Sequence, residues 1–211
     1  MSDSYYASRY VPNADRSVVW KEIVLFLNAY IGKSEAVVDM GSGYCDFINN
    51  VAAPKRYAVD ISADSGKFAA PGVVFMQDTL PRNIPANSVD VVFASNLFEH
   101  LDDNQLTDMM ADVRRVLRDG GQLILMQPNY RYSYKTYFDD PTHKKAFSHT
   151  ALESFLISHD FAIVKMLPKF LPFSLKSRPG IIPLSPFIVR AYLNSPWKPF
   201  AGQMLFLARK K

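Results

Sequence analysis

The chain has 211 residues, of which 48% are hydrophobic and 21% charged, and a formal net charge of +4. That length suits one domain with a substantial core. The mild charge, with no long Lys/Arg run, permits an anionic substrate or a membrane surface but leaves nucleic acid without an electrostatic footprint. A single cysteine, Cys45, excludes an intrachain disulfide framework and a cysteine zinc cluster.

The elements alternate along the chain. A Tyr-rich arm (Tyr5, Tyr6, Tyr10) lacks the apolar centre of a signal peptide, and no apolar run has transmembrane length, so a cytoplasmic protein is expected. Asp15 is placed to cap a helix running to about Tyr30, with Val19, Ile23, Phe26, Leu27 and Tyr30 at three- and four-residue steps and Gly32 as its stop. Residues 36–40 read as a buried strand, followed by a glycine turn and a short helix ending before Pro54. Further strands are predicted at 57–60, 73–77 and 89–95. A helix over 102–118 turns Leu106, Met109, Met110, Val113, Val116 and Leu117 inward and stops at "DGG". A strand at 123–126, a helix opened by a Thr150/Glu153 capping box, and strands at 161–166 and 204–208 complete the pattern. Strands alternating with helices imply a mostly parallel sheet covered on both faces.

Two stretches break that rhythm. Residues 128–148 are aromatic and charged without a period, and residues 168–200 are rich in proline and long apolar side chains. Long irregular segments in a compact domain are usually functional or mobile.

The stretch "AVVDMGSGYCDF" carries the chemistry. Gly41 and Gly43 allow a tight turn and close backbone approach, but Asp46 stands where a dinucleotide fingerprint has its third glycine, and Asp39 adds a second acid. An acid at the start of a helix competes with a pyrophosphate for the same positive end. A cationic or zwitterionic ligand tolerates these acids better. Asp60, about 20 residues after Gly41, has the spacing at which a carboxylate reaches ribose hydroxyls, and Asp78 follows the third strand. S-adenosyl-L-methionine, with its ammonium and sulfonium and no phosphate, fits this set.

With these residues the chain resembles the class I S-adenosylmethionine-dependent methyltransferases, in particular the small bacterial type 11/type 23-like enzymes. "VVDMGSGYCDF", "YAVDIS", "MQDTLP", "SVDVVFASNLFEHL" and "VLRDGGQLILMQPN" match successive motifs of that family in order, with Cys45 in place of a frequent third glycine. The resemblance implies a Rossmann-like seven-stranded α/β sheet, mostly parallel with an antiparallel last strand and helices on both faces. It also implies one domain: an arm and helix over 1–35, a cofactor-binding core over 36–166, an apolar insertion over 167–201 and a last strand over 202–211. Asp39, Gly41 and Gly43 are expected around the methionine part of the cofactor, with the Ser42 and Gly43 amides on its carboxylate. Asp60 is expected on the ribose, Ile61 on adenine, Asp78 on the adenine amino group, and Asn96 beside the methionine end. S-adenosyl-L-homocysteine would be the product.

Four histidines limit the acid–base candidates. His143, in "DPTHKKAFS", is the preferred base, since an unperturbed imidazole titrates near working pH; a loop-to-helix tether is its structural alternative. His100, after Glu99, is the second catalytic candidate. Relatives that hold a divalent metal beside a Glu-His pair use an upstream acid where this chain has Asn96, so no metal is expected. Tyr6, Tyr10, Tyr130 and Arg131 are candidates for contacting an anionic sugar or aromatic acceptor. Phe170, Phe173, Ile181, Ile182, Phe187 and Trp197 could form a lid, a dimer face or a peripheral membrane contact. The resulting expectation is O- or N-methylation of a small molecule or saccharide. A cofactor-binding module without transfer, and an NAD(P)-dependent oxidoreductase, are the alternatives.

Overall fold

A computed structural model describes residues 14–172 and 185–211. The elements, in order, are α1 (Ala14–Ile31), β1 (Ala36–Met40), α2 (Asp46–Asn50), β2 (Lys55–Asp60), β3 (Val73–Gln77), β4 (Val89–Ser95), α3 (Asp103–Val116), β5 (Leu117–Pro128), α4 (Tyr130–Ser133), α5 (His149–Ser158), β6 (Phe161–Leu167), α6 (Pro186–Asn194) and β7 (Gln203–Lys210). Single 3-10 turns at Ala63–Phe68, Phe98–His100 and Tyr137–Asp139 lie in the connections.

The strands form one sheet in the order β3-β2-β1-β4-β5-β7-β6. Pairing is parallel from β3 to β5, and β7 runs antiparallel to both β5 and β6. Side chains alternate between the two faces of each strand, so neighbouring residues feed different cores. Val38, Val92, Leu123 and Phe206 pack with Leu106, Met110 and Val113 of α3 and Leu152 of α5. Val37, Val91, Ile124 and Leu205 pack on the other face with Val19, Ile23 and Leu27 of α1, Phe47 and Ile48 of α2, and Val189 and Leu193 of α6. A sheet buried on both faces explains why its inner strands read as continuous apolar runs.

Several local expectations are corrected. α1 spans Ala14–Ile31, so Asp15 lies within the helix. α3 ends at Val116, two residues early, because Leu117 turns extended and joins β5; the Asp102 cap is real, with Gln105 closing a capping box. β5 is correspondingly longer than predicted, carrying "DGG" as an irregularity between the Val89 and Val91 pairings. The cap of α5 is Ser148, whose hydroxyl accepts from the Ala151 amide, not Thr150. The apolar stretch 168–200 also contains a helix. Ser185 caps α6 through the Ile188 amide with Pro186 in its first turn, and the Arg190 guanidinium holds the buried Glu22 carboxylate of α1 through two bonds of 2.8 and 2.9 Å. Phe170, expected on an exposed face, is fully buried. Tyr5, Tyr6, Tyr10, Phe173, Ile181 and Ile182 lie outside the described residues. No helix among the described residues is long and apolar enough to cross a membrane.

Candidate active site

The strand order reverses between β1 and β4, which opens a crevice at the carboxyl ends of the strands, the place where open α/β sheets bind ligands. Every chemistry-bearing strand end points to that edge. Asp39 lies in β1, Asp60 ends β2, and Asp78 and Asn96 directly follow β3 and β4.

The glycine loop is closed on itself. Gly41 and Gly43 have φ of 66° and 49°, and Cys45 also adopts the left-handed region at 56°. The Gly41 and Ser42 amides both donate to the Val59 carbonyl, at 2.8 and 3.2 Å, and the Gly43 amide donates to Asp60 Oδ2 at 2.8 Å. This differs from the expectation that the Ser42 and Gly43 amides face a ligand carboxylate: both serve the loop itself. Asp60 Oδ1 accepts from the Ser62 amide at 2.8 Å. Each carboxylate oxygen accepts more than one hydrogen bond, so Asp60 can clamp the loop and still accept from two hydroxyls. Ile61 beside it is 54% exposed, an apolar surface next to the acid.

Asp39 is buried, and burial pushes its carboxyl well above the usual range, against the Ile48 backbone; the Asp60 and Asp46 charges push the same way. Asp46 itself is raised by burial, an effect that its ion pair with Arg16 opposes. The Arg16 guanidinium also lies 4.6 Å from the centre of the Tyr44 ring. α1 is thereby fastened to the glycine loop by a residue that sequence reading passed over, since nothing in its local spacing marks it. Desolvation would raise Asp78, but the Leu80 and Thr79 amides and the Arg82 charge hold it below the usual range. Cys45 is buried, and its thiol is pushed up to about 11, chiefly by desolvation.

Across the crevice, Asn96 adopts φ of 50° and accepts from Gln203 Nε2 of β7 at 3.0 Å. Leu97 follows it and covers Gly41 so closely that a Cβ at Gly41 would meet Leu97 Cδ1 at 3.1 Å. Glu99 is 1% exposed, and its Oε2 is a buried oxygen without a hydrogen-bond partner. Burial pushes this carboxyl up to about 8, and the Asp140 charge adds to the shift. The Lys144 and Lys145 amides donate to the Glu99 carbonyl at 2.8 and 3.1 Å, which brings the segment after β5 over the turn after β4.

His143 therefore stands beside His100, their ring centres 4.9 Å apart. The His143 side chain is only 4% exposed; its Nδ1 lies 2.5 Å from the Tyr137 carbonyl and its Nε2 3.9 Å from Asp140 Oδ2. His100 Nδ1 lies 2.9 Å from Thr142 Oγ1, which in turn donates to Asp140 Oδ1 at 2.6 Å. Tyr137 closes the group from below, its hydroxyl donating to the Lys145 carbonyl. The other two histidines serve helix ends: His149 meets Asn129 at the start of α5, and His159 meets the Phe155 carbonyl at its end.

The remaining candidates divide. Tyr130 packs edge-on against Tyr137, beside the histidine pair, and Arg131 is exposed on the same short helix. Tyr132 turns elsewhere, stacking on His149 and receiving Lys169 over its ring. It lines a cavity of about 580 Å³ with Lys169, Trp197, Lys198 and Phe200 that shares no residue with the glycine loop or the histidine pair.

Comparison with known proteins agrees with this arrangement. Residues 38–125 match the family model of a methyltransferase domain. No curated protein matches the chain. Among solved structures, an S-adenosylmethionine-dependent methyltransferase from Archaeoglobus fulgidus is similar at a TM-score of 0.65 and 22% identity, covering 90% of this chain and 94% of that one. A possible histamine N-methyltransferase from Thermotoga maritima gives 0.66 and 17%, with 93% and 92% covered. The geranyl diphosphate C-methyltransferase of Streptomyces coelicolor, solved with Mg2+, geranyl diphosphate and S-adenosyl-L-homocysteine, gives 0.64 and 14%, with 90% and 80% covered. Residues 38–125 thus resemble a methyltransferase domain, and the chain as a whole has the seven-stranded fold of these solved structures.

Proposed function

We propose that this chain is an S-adenosylmethionine-dependent methyltransferase that methylates an oxygen or nitrogen of a small molecule or saccharide. The observation that carries the reading is the facing pair of polar groups across one crevice: Asp39, the closed glycine loop and Asp60 on one side, Glu99, His100 and His143 on the other. The first side suits the cofactor. A buried acid at Asp39 suits the ammonium of the methionine part, Asp60 the ribose hydroxyls, Ile61 and Asp78 the adenine, and Asn96 the methionine end. The second side suits the acceptor, with Tyr130 and Arg131 at its rim.

The cofactor's sulfonium is already an activated electrophile, so positioning the acceptor in line with its methyl group can supply much of the acceleration. An acceptor hydroxyl or ammonium must also lose a proton, and His143 and His100 are the groups placed to take or guide it. The exposed Phe187 and Trp197, 79% and 76% accessible, extend this reading to a second copy of the chain or a lipid surface as a further contact.

Calorimetry and thermal shift test the cofactor half. S-adenosyl-L-homocysteine should bind and raise the melting temperature, whereas NAD and NADP should not; a larger shift with a dinucleotide would overturn the reading. Release of S-adenosyl-L-homocysteine in the presence of small hydroxylated or amine acceptors tests the transfer half, and binding without release would leave a sensing module.

A further inference from the structure

We propose that the cavity between the end of β6 and the segment leading into β7 binds a phosphate group, and that this phosphate belongs to the methyl acceptor. The inference rests on the methyltransferase reading above for what the phosphate is attached to, whereas binding itself is independent of transfer.

Charge is the first argument. Of the 24 Lys and Arg residues, nine fall in residues 161–211, and all 20 Asp and Glu residues lie before that stretch. Cations in the rest of the chain find carboxylates: Lys67 meets Asp64, Arg115 meets Asp112 and Lys144 meets Asp102. Lys169 and Lys198 line the cavity with Tyr132, Leu167, Trp197 and Phe200, and among the described residues no carboxylate lines it. The Lys169 ammonium lies 4.7 Å from the centre of the Tyr132 ring, which attracts the charge without neutralising it. Lys198 gives two of its N–H donors to the Tyr192 and Leu193 carbonyls at the end of α6, and a third remains. Two ammonium groups in one concave site repel each other. A phosphate monoester, with a charge of about −1.5 to −2 near pH 7, balances both, whereas a carboxylate balances one. Lysine binds phosphate as a point charge and needs no fixed fork geometry.

Shape is the second argument. Trp197 and Phe200 are 76% and 79% exposed beside the two lysines. Phe200 adopts φ of 59°, a region that costs a bulky residue about 1–3 kcal/mol and that clusters at ligand clamps. Ring faces next to ammonium groups suit a phosphate ester whose organic part is itself a ring. The volume, about 580 Å³, is that of a small-molecule site.

Position is the third. Because β7 runs antiparallel to both neighbours, its start lies with the ends of β5 and β6, at the edge where the crevice opens. Phe200 precedes Gln203 by three residues, a span of at most about 11 Å, and Gln203 bonds Asn96 in the crevice. An acceptor anchored by its phosphate in the cavity therefore extends its other end toward the transfer site.

Calorimetric titration of the full-length protein with phenyl phosphate, and with phenol as its uncharged match, tests the site, with Trp197 emission as a second readout. Phenyl phosphate should bind saturably and about tenfold or more tighter than phenol. Lys169→Gln should weaken it by about tenfold, the equivalent of one charge-assisted hydrogen bond, while Lys169→Arg should retain it. Lys21→Gln, on α1, should change nothing. Lys198→Gln should weaken binding as well; because Lys198 also holds the end of α6, the exposed Lys169 carries the test if that variant fails to fold. Phosphatidylcholine vesicles containing phosphatidic acid separate the sources. A response to phenyl phosphate alone assigns a soluble acceptor, and vesicle binding that phenyl phosphate competes away assigns a lipid-borne one. Equal affinity for phenol, no saturable binding of either phosphate source, or indifference to Lys169→Gln would each overturn the proposal. S-adenosyl-L-homocysteine titrated alongside keeps the readings apart. Its binding without phosphate binding overturns the subsite alone, and phosphate binding without it removes the methyltransferase reading on which the subsite's role rests.

Discussion

Asp39 shows how a single side chain can be kept against the interest of stability. Because burial lifts its carboxyl in the folded protein, the unfolded chain gives up this proton first as pH rises. Below about pH 4 both states hold the proton and no penalty exists. Above that, ionisation favours unfolding, and the penalty grows until the folded-state pKa is reached. Asp39→Asn should therefore melt higher than wild type, by a margin larger at pH 7 than at pH 4, while binding S-adenosyl-L-homocysteine more weakly. Melting curves at the two pH values check the first half, and a margin that shrinks with pH would contradict it. Asp60 is the opposite case, since it holds the loop and is also the proposed ribose acceptor. Asp60→Ala should weaken cofactor binding by about 2–3 kcal/mol, the scale of hydrogen bonds to a charged group. It should also lower the melting temperature, because the Gly43 and Ser62 amides lose their acceptor; calorimetry reads the first effect and denaturation the second. Both acids were legible in the sequence from their place at strand ends. Glu99 and His143 were not legible as partners, because 44 positions separate them and they meet through tertiary bonds, the Lys144 and Lys145 amides on the Glu99 carbonyl and Thr142 beside His100.

At the scale of elements, the run Ala36–Met40, the following loop and α2 act as one unit. Both the largely buried strand Val89–Ser95 and the half-exposed edge strand Val73–Gln77 could be bounded from the sequence to the residue. Connections were harder. α6 was hidden because its surroundings are rich in proline, yet its start carried the ordinary signal, a Ser cap followed by Pro in the first turn. α3 lost its last turn to β5 because pairing of Leu117 with Val89 outweighed continuation of the helix. Within the glycine unit, Gly41→Ala should cost about 1–2 kcal/mol through its positive φ alone, and the added Cβ also meets Leu97. Adding Leu97→Ala should remove the contact but not the backbone cost, so the double variant should regain only part of the lost cofactor affinity. Full recovery in a double-mutant cycle would show that sterics alone governed the position. Across the sheet edge, Glu22→Ala should lower the melting temperature less than Arg190→Ala does, since the latter leaves a buried carboxylate unpaired.

For the molecule as a whole, the family resemblance implied a seven-stranded, mostly parallel sheet with an antiparallel last strand but not the strand order, and the site depends on what that order brings together. The crevice exists because β1 and β4 are neighbours, and its far wall exists because β7 inserts between β5 and β6 and delivers Gln203 to Asn96. The exposed aromatic face was expected over 168–200, but within the described residues it narrows to Phe187, Trp197 and Phe200, while Phe170, Val189 and Leu193 turn inward. If this face takes a lipid surface, Trp197 emission should shift to the blue on adding anionic vesicles; if it takes a second copy, light scattering should show dimers that Trp197→Ala dissociates. A monomer with unchanged emission would leave the face without either role.

Leu97 touches Gly41 at one end of a turn whose other end is Glu99 and His100. A ligand that settled into the glycine loop and shifted that leucine would move the chain two residues before Glu99, on the side proposed for the acceptor. Such a link would couple the two proposed ligands. Cofactor should enter first and its spent form should leave last, and acceptor affinity should differ between empty and cofactor-filled protein. By reciprocity the acceptor must alter cofactor affinity by the same factor. Product-inhibition patterns would reveal the sequence of steps, and Leu97→Ala, which removes the linking side chain, should make the two ligands indifferent to one another.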